Sequence, residues 1–201
     1  MADPYHHGVL RATLMREALR VIERDGVEGV SLRALAREAG VSHSAPNHHF
    51  GSRTGLLTAI ATEGFVELAR RLEHESEFLE VGVAYVRFAV ESPAHFAVMF
   101  RPDLLDLDDA ELDDAQQRAF AVLRGGVDLM AAQGSVGDAA AAVVAGWSLV
   151  HGLGALLATG NLDTARLRDL VPERDPAALA RRAAGMLFGS PGHGPPPRGS
   201  R

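Results

Sequence analysis

The chain has no cysteine and no lysine, and aromatic residues make up only 5% of its 201 positions. Without cysteine there is no disulfide framework, no thiolate nucleophile and no thiolate zinc site. Without lysine, every fixed side-chain cation is an arginine. Strand signals are also scarce: no Val/Ile/Thr-rich alternating run bounded by turns occurs. The N-terminus, Met1-Ala2-Asp3-Pro4, lacks the basic-then-apolar order of a secretory signal. The most apolar stretch, Ala139 to Ala158, is interrupted by Gly146, Ser148, His151, Gly152 and Gly154, so it reads as a buried helix of the fold and not a membrane span.

Hydrophobic residues make up 47% of the chain, enough for a sizeable core. The formal net charge of −6 is unevenly spread. Residues 1–60 carry seven Arg against six Asp/Glu, and the remaining chain carries thirteen against twenty. An acidic body behind a near-neutral head is compatible with local contact to DNA.

Helical periodicity recurs throughout. Leu10, Leu14, Ala18 and Val21 form an apolar stripe that ends at Asp25-Gly26. Ser31 caps a second helix carrying Leu32, Leu35, Ala36 and Ala39 inward, and Gly40 ends it. A third short helix, capped by Ser42 or Ser44, runs to Phe50. A Gly51-Ser52 break precedes a long fourth helix over about 53–78. Further helices are expected over about 79–91, 93–100, 110–132, 138–159 and 176–188, with an acidic, solvated loop over 101–109. The Gly/Pro-rich segment 189–201 reads as a disordered tail. The fold class is therefore all-α.

Residues 31–50, SLRALAREAGVSHSAPNHHF, carry the functional signal. Two short helices meet at Gly40-Val41-Ser42, and the second has a polar face of His43, Ser44, Asn47 and His48. A helix-turn-helix has that layout, with its second helix entering the major groove. Asn47 matches an adenine edge bidentately, or bonds phosphate. Proline at 46 is harmless if Ser44 is the cap, because its missing donor then falls among the groups with no intrahelical partner.

Several other motifs fail as catalytic or metal sites. Gly146-Trp147-Ser148-Leu149-Val150 misses the nucleophile elbow at Val150, and no strand precedes it. His43, His48 and His49 lack a metalloprotease spacing or a nearby acidic ligand, so no metal and no cofactor is expected. An enzyme is not the expected reading. The alternative to a regulator is a helical protein-interaction module without DNA binding.

The order Leu10–Arg24 with Gly26, Ser31-Leu32-Arg33-Ala34-Leu35-Ala36, Gly40-Val41-Ser42, His49-Phe50-Gly51-Ser52-Arg53 and Leu56-Leu57 resembles the DNA-binding domain of the TetR family of bacterial regulators. Pro46 and Asn47 depart from the family's aliphatic and aromatic residues there, and Arg53 stands where lysine is usual. Trp147-x-x-x-His151-Gly152 and residues 85–100 are similar to the sensor domain of a subgroup named for Trp, His and Gly. The resemblance implies a helix-turn-helix domain over 8–68 and a helical regulatory and dimerisation domain over 69–188. The DNA-contacting residues it implies are Ser31, Arg33, Ser42, His43, Ser44, Asn47, His48, His49 and Arg53. It also implies a cytoplasmic homodimer joined through 138–159 and 176–188. Such a dimer binds a palindromic double-stranded operator as a repressor released by a small molecule. Phe96, Met99, Phe100, Trp147 and His151 are the expected pocket, suited to an apolar ligand with one directional hydrogen bond from His151.

Overall fold

The computed structural model describes residues 4–164, 169 and 171–188, and no strand occurs among them. The helices are α1 (Pro4–Asp25), α2 (Leu32–Glu38), α3 (Ala45–Phe50), α4 (Arg53–Glu73), α5 (Phe78–Glu91), α6 (Pro93–Met99), α7 (Ala110–Ala132), α8 (Ala139–Ala158) and α9 (Pro176–Phe188). The expected tail, 189–201, lies outside the described residues.

Local chemistry sets most of these ends. The Asp109 and Asp138 carboxylates accept from the N–H groups of Leu112 and Ala141, capping α7 and α8. Ser52 caps α4 through Gly55 N–H. Pro93 sits in the first turn of α6, where its missing donor costs nothing. Two boundaries differ from expectation: α1 begins at Pro4 and not near Leu10, and α4 was expected to run on to near residue 78. The helix stops at Glu73, and the exposed run His74-Glu75-Ser76-Glu77 leads into α5. No apolar residue follows Leu72 until Phe78, so the fourth helix has nothing to bury across that run.

One continuous core joins head and body. Leu14, Ala18 and Ile22 of α1 pack with Leu35 of α2 and with Leu56, Leu57 and Ile60 of α4, and the same cluster continues through Phe65, Phe88 and Met99 to Ala119. The central helix is α4, which packs against α5, α6 and α7 and touches α3 at its start. Buried Thr58 ties it to the acidic loop: its hydroxyl donates to Thr54 O and accepts from Asp106 N–H, each at 2.9 Å.

A second cluster joins α5 and α9 through Val83, Val86, Ala177 and Ala180, with Val150, Leu153 and Leu157 of α8 packed against it. Arg181 of α9 reaches Glu80 of α5 through two hydrogen bonds of 2.7 and 2.8 Å. The expectation that 139–158 is a buried helix needs correction. Only Gly146 and Gly154 of α8 are buried, and Val144 and Leu156 are 61% and 41% exposed. Apolar composition signals burial against something, and within this chain α8 is covered along one side only. By length and composition α8 would also suffice to cross a membrane, the one such helix among the described residues.

Candidate nucleic-acid interface and ligand cavity

The turn between α2 and α3 follows from Gly40. It has φ +66°, a left-handed conformation that glycine adopts without steric cost. Val41 N–H then bonds Ala36 O at 3.0 Å and Gly40 N–H bonds Arg37 O at 3.2 Å, closing α2 in a Schellman-type end. The cap of α3 is Ser44, with His48 N–H bonding Ser44 O at 2.9 Å. Pro46 therefore falls in the first turn, is buried, and leaves no acceptor without its partner.

This arrangement turns one face outward. Ser31, Arg33, Ser42, His43, Ser44, Asn47 and His48 are all exposed, while His49 is half-buried beside Phe50. The rings of His49 and Phe50 lie 6.2 Å apart, and the Arg11 guanidinium sits over Phe50 at 5.4 Å. Ser42 and Ser44 share a hydroxyl–hydroxyl bond of 3.2 Å.

Arg53 is placed differently from a free phosphate contact. Its Nε donates to Val30 O at 3.1 Å and a terminal nitrogen donates to Val27 O at 2.7 Å, with Glu28 at 3.5 Å. It thus clamps the start of α4 onto the turn that leads into α2. Glu28 is also 3.5 Å from Arg101, beyond α6.

A second constraint escaped sequence reasoning. A Cβ on Gly55 would lie 2.0 Å from Phe50 O. Only glycine lets the end of α3 press this closely on the first turn of α4. No pattern in the sequence marks it, since Gly55 reads as an ordinary helical glycine.

The body holds a cavity of about 980 Å³, open to solvent on one side, between α4, α5, α6, α7 and α8. Phe65, Leu68 and Leu72 of α4 form one wall. Met99, Phe100, Trp147 and His151, four of the five residues expected to line a pocket, face it. Phe96 does not; it is buried behind the wall, its ring 5.1 Å from that of His151 and 6.3 Å from that of Tyr85. The aromatic rings interlock, with Phe100 4.6 Å from His151 and edge-on to it.

Tyr85 is the polar centre of this wall. Its hydroxyl lies 2.9 Å from His151 Nδ1. Burial pushes the Tyr85 pKa up, and the neighbouring Trp147 indole opposes the shift. Burial lowers the pKa of His151, which favours the neutral imidazole. The rim is exposed and includes Phe120, Asp113, Gln117 and Arg124. Among the described residues, no group of three or more His, Asp or Glu is arranged to hold a metal.

The family model described as bacterial regulatory proteins of the tetR family matches residues 14–60, and a tetracyclin repressor-like C-terminal domain matches residues 78–187. The second match alone covers more than half of the chain. The chain belongs to the TetR family. The two matched models describe bacterial regulatory proteins and a repressor-like C-terminal domain.

A Rhodococcus protein of unknown function has a similar structure, with a TM-score of 0.72 and 35% identity over 92% of this chain and 96% of that one. AibR, solved with isovaleryl coenzyme A and operator DNA, shares the fold at a TM-score of 0.64 and 18% identity, over 89% of this chain and 97% of its own. The nicotine-responsive repressor HdnoR of Paenarthrobacter nicotinovorans is 42% identical over 62 residues, 31% of this chain and 32% of its own. The chain spans half or less of the length of the curated relatives YobS, HdnoR and BetI that it matches.

Proposed function

We propose that this regulator is a cytoplasmic homodimeric repressor that reads a palindromic operator through α2, the Gly40 turn and α3, and leaves it when a small apolar molecule fills the body cavity. The observation that carries the reading is the path of α4. Ser52 and Gly55 seat its first turn on α3, and its later turns supply Phe65, Leu68 and Leu72 to the cavity wall. One rigid helix therefore meets both sites. A ligand shifts DNA affinity only by binding one arrangement of that helix more tightly than the other. The fold neighbour AibR, solved with isovaleryl coenzyme A and operator DNA, and the nicotine-responsive repressor HdnoR support the ligand-responsive part of the reading; the apolar class rests on the cavity lining.

Dimerisation is supported by the outer side of α8. Val144, Ser148, Gly152 and Leu156 recur every fourth residue, and a Cβ on Gly152 would meet nothing of its own chain within 4 Å. Met186 of α9 is 88% exposed. Apolar and small residues in one exposed stripe suit close approach of a second copy, as in interfaces that resemble a divided core. A single recognition helix of six residues reads few bases, and a two-fold pair reads two half-sites.

In this reading Asn47, His43 and His48 face base edges. Ser31, Arg33, Ser42, Ser44 and His49 contact the backbone, and Arg53 positions the motif. Selection of random DNA fragments by the purified chain tests it. A palindromic consensus is expected, and Asn47→Ala should relax preference at one position of each half-site, a bidentate contact being worth ~1–3 kcal/mol. No enrichment of any sequence would overturn it in favour of a protein-interaction role.

A further inference from the structure

The charge of the DNA-reading element is set by its histidines, an inference that rests on reading α2, the Gly40 turn and α3 as the operator contact. From Ala39 to Thr62 the sequence contains no Asp, Glu or Lys, and Arg53 is its single arginine. That guanidinium is turned inward, onto Val27 O at 2.7 Å and Val30 O at 3.1 Å. The turn and α3, residues 39–52, therefore carry no fixed charge of either sign. Ser42, Ser44 and Asn47 are neutral, and the ionisable groups are His43, His48 and His49. His43 and His48 are exposed, and the rings of His48 and His49 lie 5.9 Å apart.

The helices packed against α3 are α1, α2 and α4. The charged side chains they bring toward it are Arg11 of α1, over the Phe50 ring at 5.4 Å, Arg33, Arg37 and Glu38 of α2, and Arg53 of α4. Glu38 is the single acid of α2, and its charge acts on Arg24 of α1. Duplex DNA supplies the negative charge, one per ~1.7 Å of helix axis. An anion beside an imidazole favours the protonated ring. Protonation also changes what the ring can bond: the neutral form donates at one nitrogen and accepts at the other, and the charged form donates at both. Phosphate oxygens and the N7 and O6 atoms of guanine in the major groove are acceptors only.

We propose that His43 and His48 bind the operator in their protonated form, so that the regulator takes up protons as it binds DNA and the proton is a co-ligand of the complex. The sign follows from linkage. A group charged more readily in the complex than in the free chain adds affinity at low pH, and that affinity is lost as pH rises through its titration in the complex. Operator affinity therefore increases as pH falls through the range in which histidine ordinarily changes charge, about pH 8 to 5.

Fluorescence anisotropy of the selected operator duplex with the full-length chain tests this at fixed salt. Between about pH 8 and about pH 6 the Kd should fall at least tenfold, and the slope of log K against log salt should steepen by ~1 or more as imidazolium groups displace counterions. Calorimetry in two buffers of different ionisation heat should report net proton uptake on binding. The double variant His43→Gln/His48→Gln keeps polar side chains at both positions; it should lose most of the pH dependence and bind at every pH about as weakly as the parent does at high pH. Each single change should remove part of the proton uptake, which serves if the double variant binds too weakly to titrate. His74→Gln, far from the motif in α4's last turn, should keep the full pH dependence. A Kd constant across the range, no proton uptake, or a pH dependence that survives in the double variant would overturn the proposal. Sequence-selective binding that is equal at every pH leaves operator recognition standing and removes the proton linkage. No sequence-selective binding at any pH removes both.

Discussion

The head and the body of this regulator carry their function in opposite ways. In the head, the groups facing outward lie within twenty consecutive residues and are exposed on one short motif. In the body, five helices spread over residues 53–158 each contribute to one internal wall. The head presents polar atoms to solvent and needs rigidity behind them. The body keeps an apolar space open, and its few polar groups bond one another. Surface recognition can therefore be built locally, whereas a cavity requires distant elements to converge. The two regions meet in α4.

The largest expected effect falls on the rigidity of the head. Gly55→Ala places a methyl 2.0 Å from Phe50 O, a backbone atom that cannot swing aside. Overpacking of this kind costs ~1–3 kcal/mol or more. Operator affinity should fall by more than tenfold in a mobility-shift assay, while probe binding in the cavity is retained. Equal loss of both would show that head and body do not separate as described.

Next is the surface that joins two copies. Val144→Glu puts a charge in the exposed apolar stripe of α8, 61% exposed in one chain. Light scattering should move from about twice the 21.3 kDa chain mass toward the single chain, with operator binding reduced in parallel. A dimer unaffected by this change would place the interface elsewhere.

A smaller effect is expected at Arg53. Arg53→Ala removes the bonds to Val27 O and Val30 O and leaves those carbonyls without the guanidinium. Stability should drop by ~1–3 kcal/mol in chemical denaturation. DNA binding should weaken by similar factors on all sequences. If stability is untouched and only the salt dependence flattens, the side chain acts as a phosphate contact instead.

The smallest is on the surface of α4. Hydrogen bonds from Arg70 and Arg71 hold Glu67 at a pKa of about 2, below its ordinary 4.5. A carboxylate with a depressed pKa adds stability above its ordinary value, and the contribution is lost as pH falls from 4.5 toward 2. The group is 34% exposed, so screening limits the gain to less than ~1 kcal/mol. Glu67→Gln should lower stability slightly at pH 7 and leave it unchanged near pH 2.

The same contrast explains how much the sequence disclosed. The expected limits of α7, α8 and α9 agree with the structure to within a residue, because capping aspartates and prolines mark them. The helix-turn-helix was legible because Gly40, Ser44 and the polar face of α3 act over a few residues. Gly55 was not, since its constraint is the carbonyl of a neighbouring helix. Phe100 and His151 were identified as candidates from composition and resemblance, but Tyr85 was not, because a tyrosine on an apolar stripe looks like core until its partner from α8 is placed. Burial of α8 was misjudged for a related reason: periodicity shows which side is apolar and not what covers it.

The central claim is that the cavity and the DNA-reading face are coupled through α4. Fluorescence anisotropy of the selected operator, titrated with the full-length chain at rising concentrations of a cavity ligand, tests it most directly. The account predicts that saturating ligand raises the operator Kd at least tenfold, and that bound operator weakens the ligand by the same factor, as linkage requires. Operator affinity that stays constant while the cavity fills would contradict it.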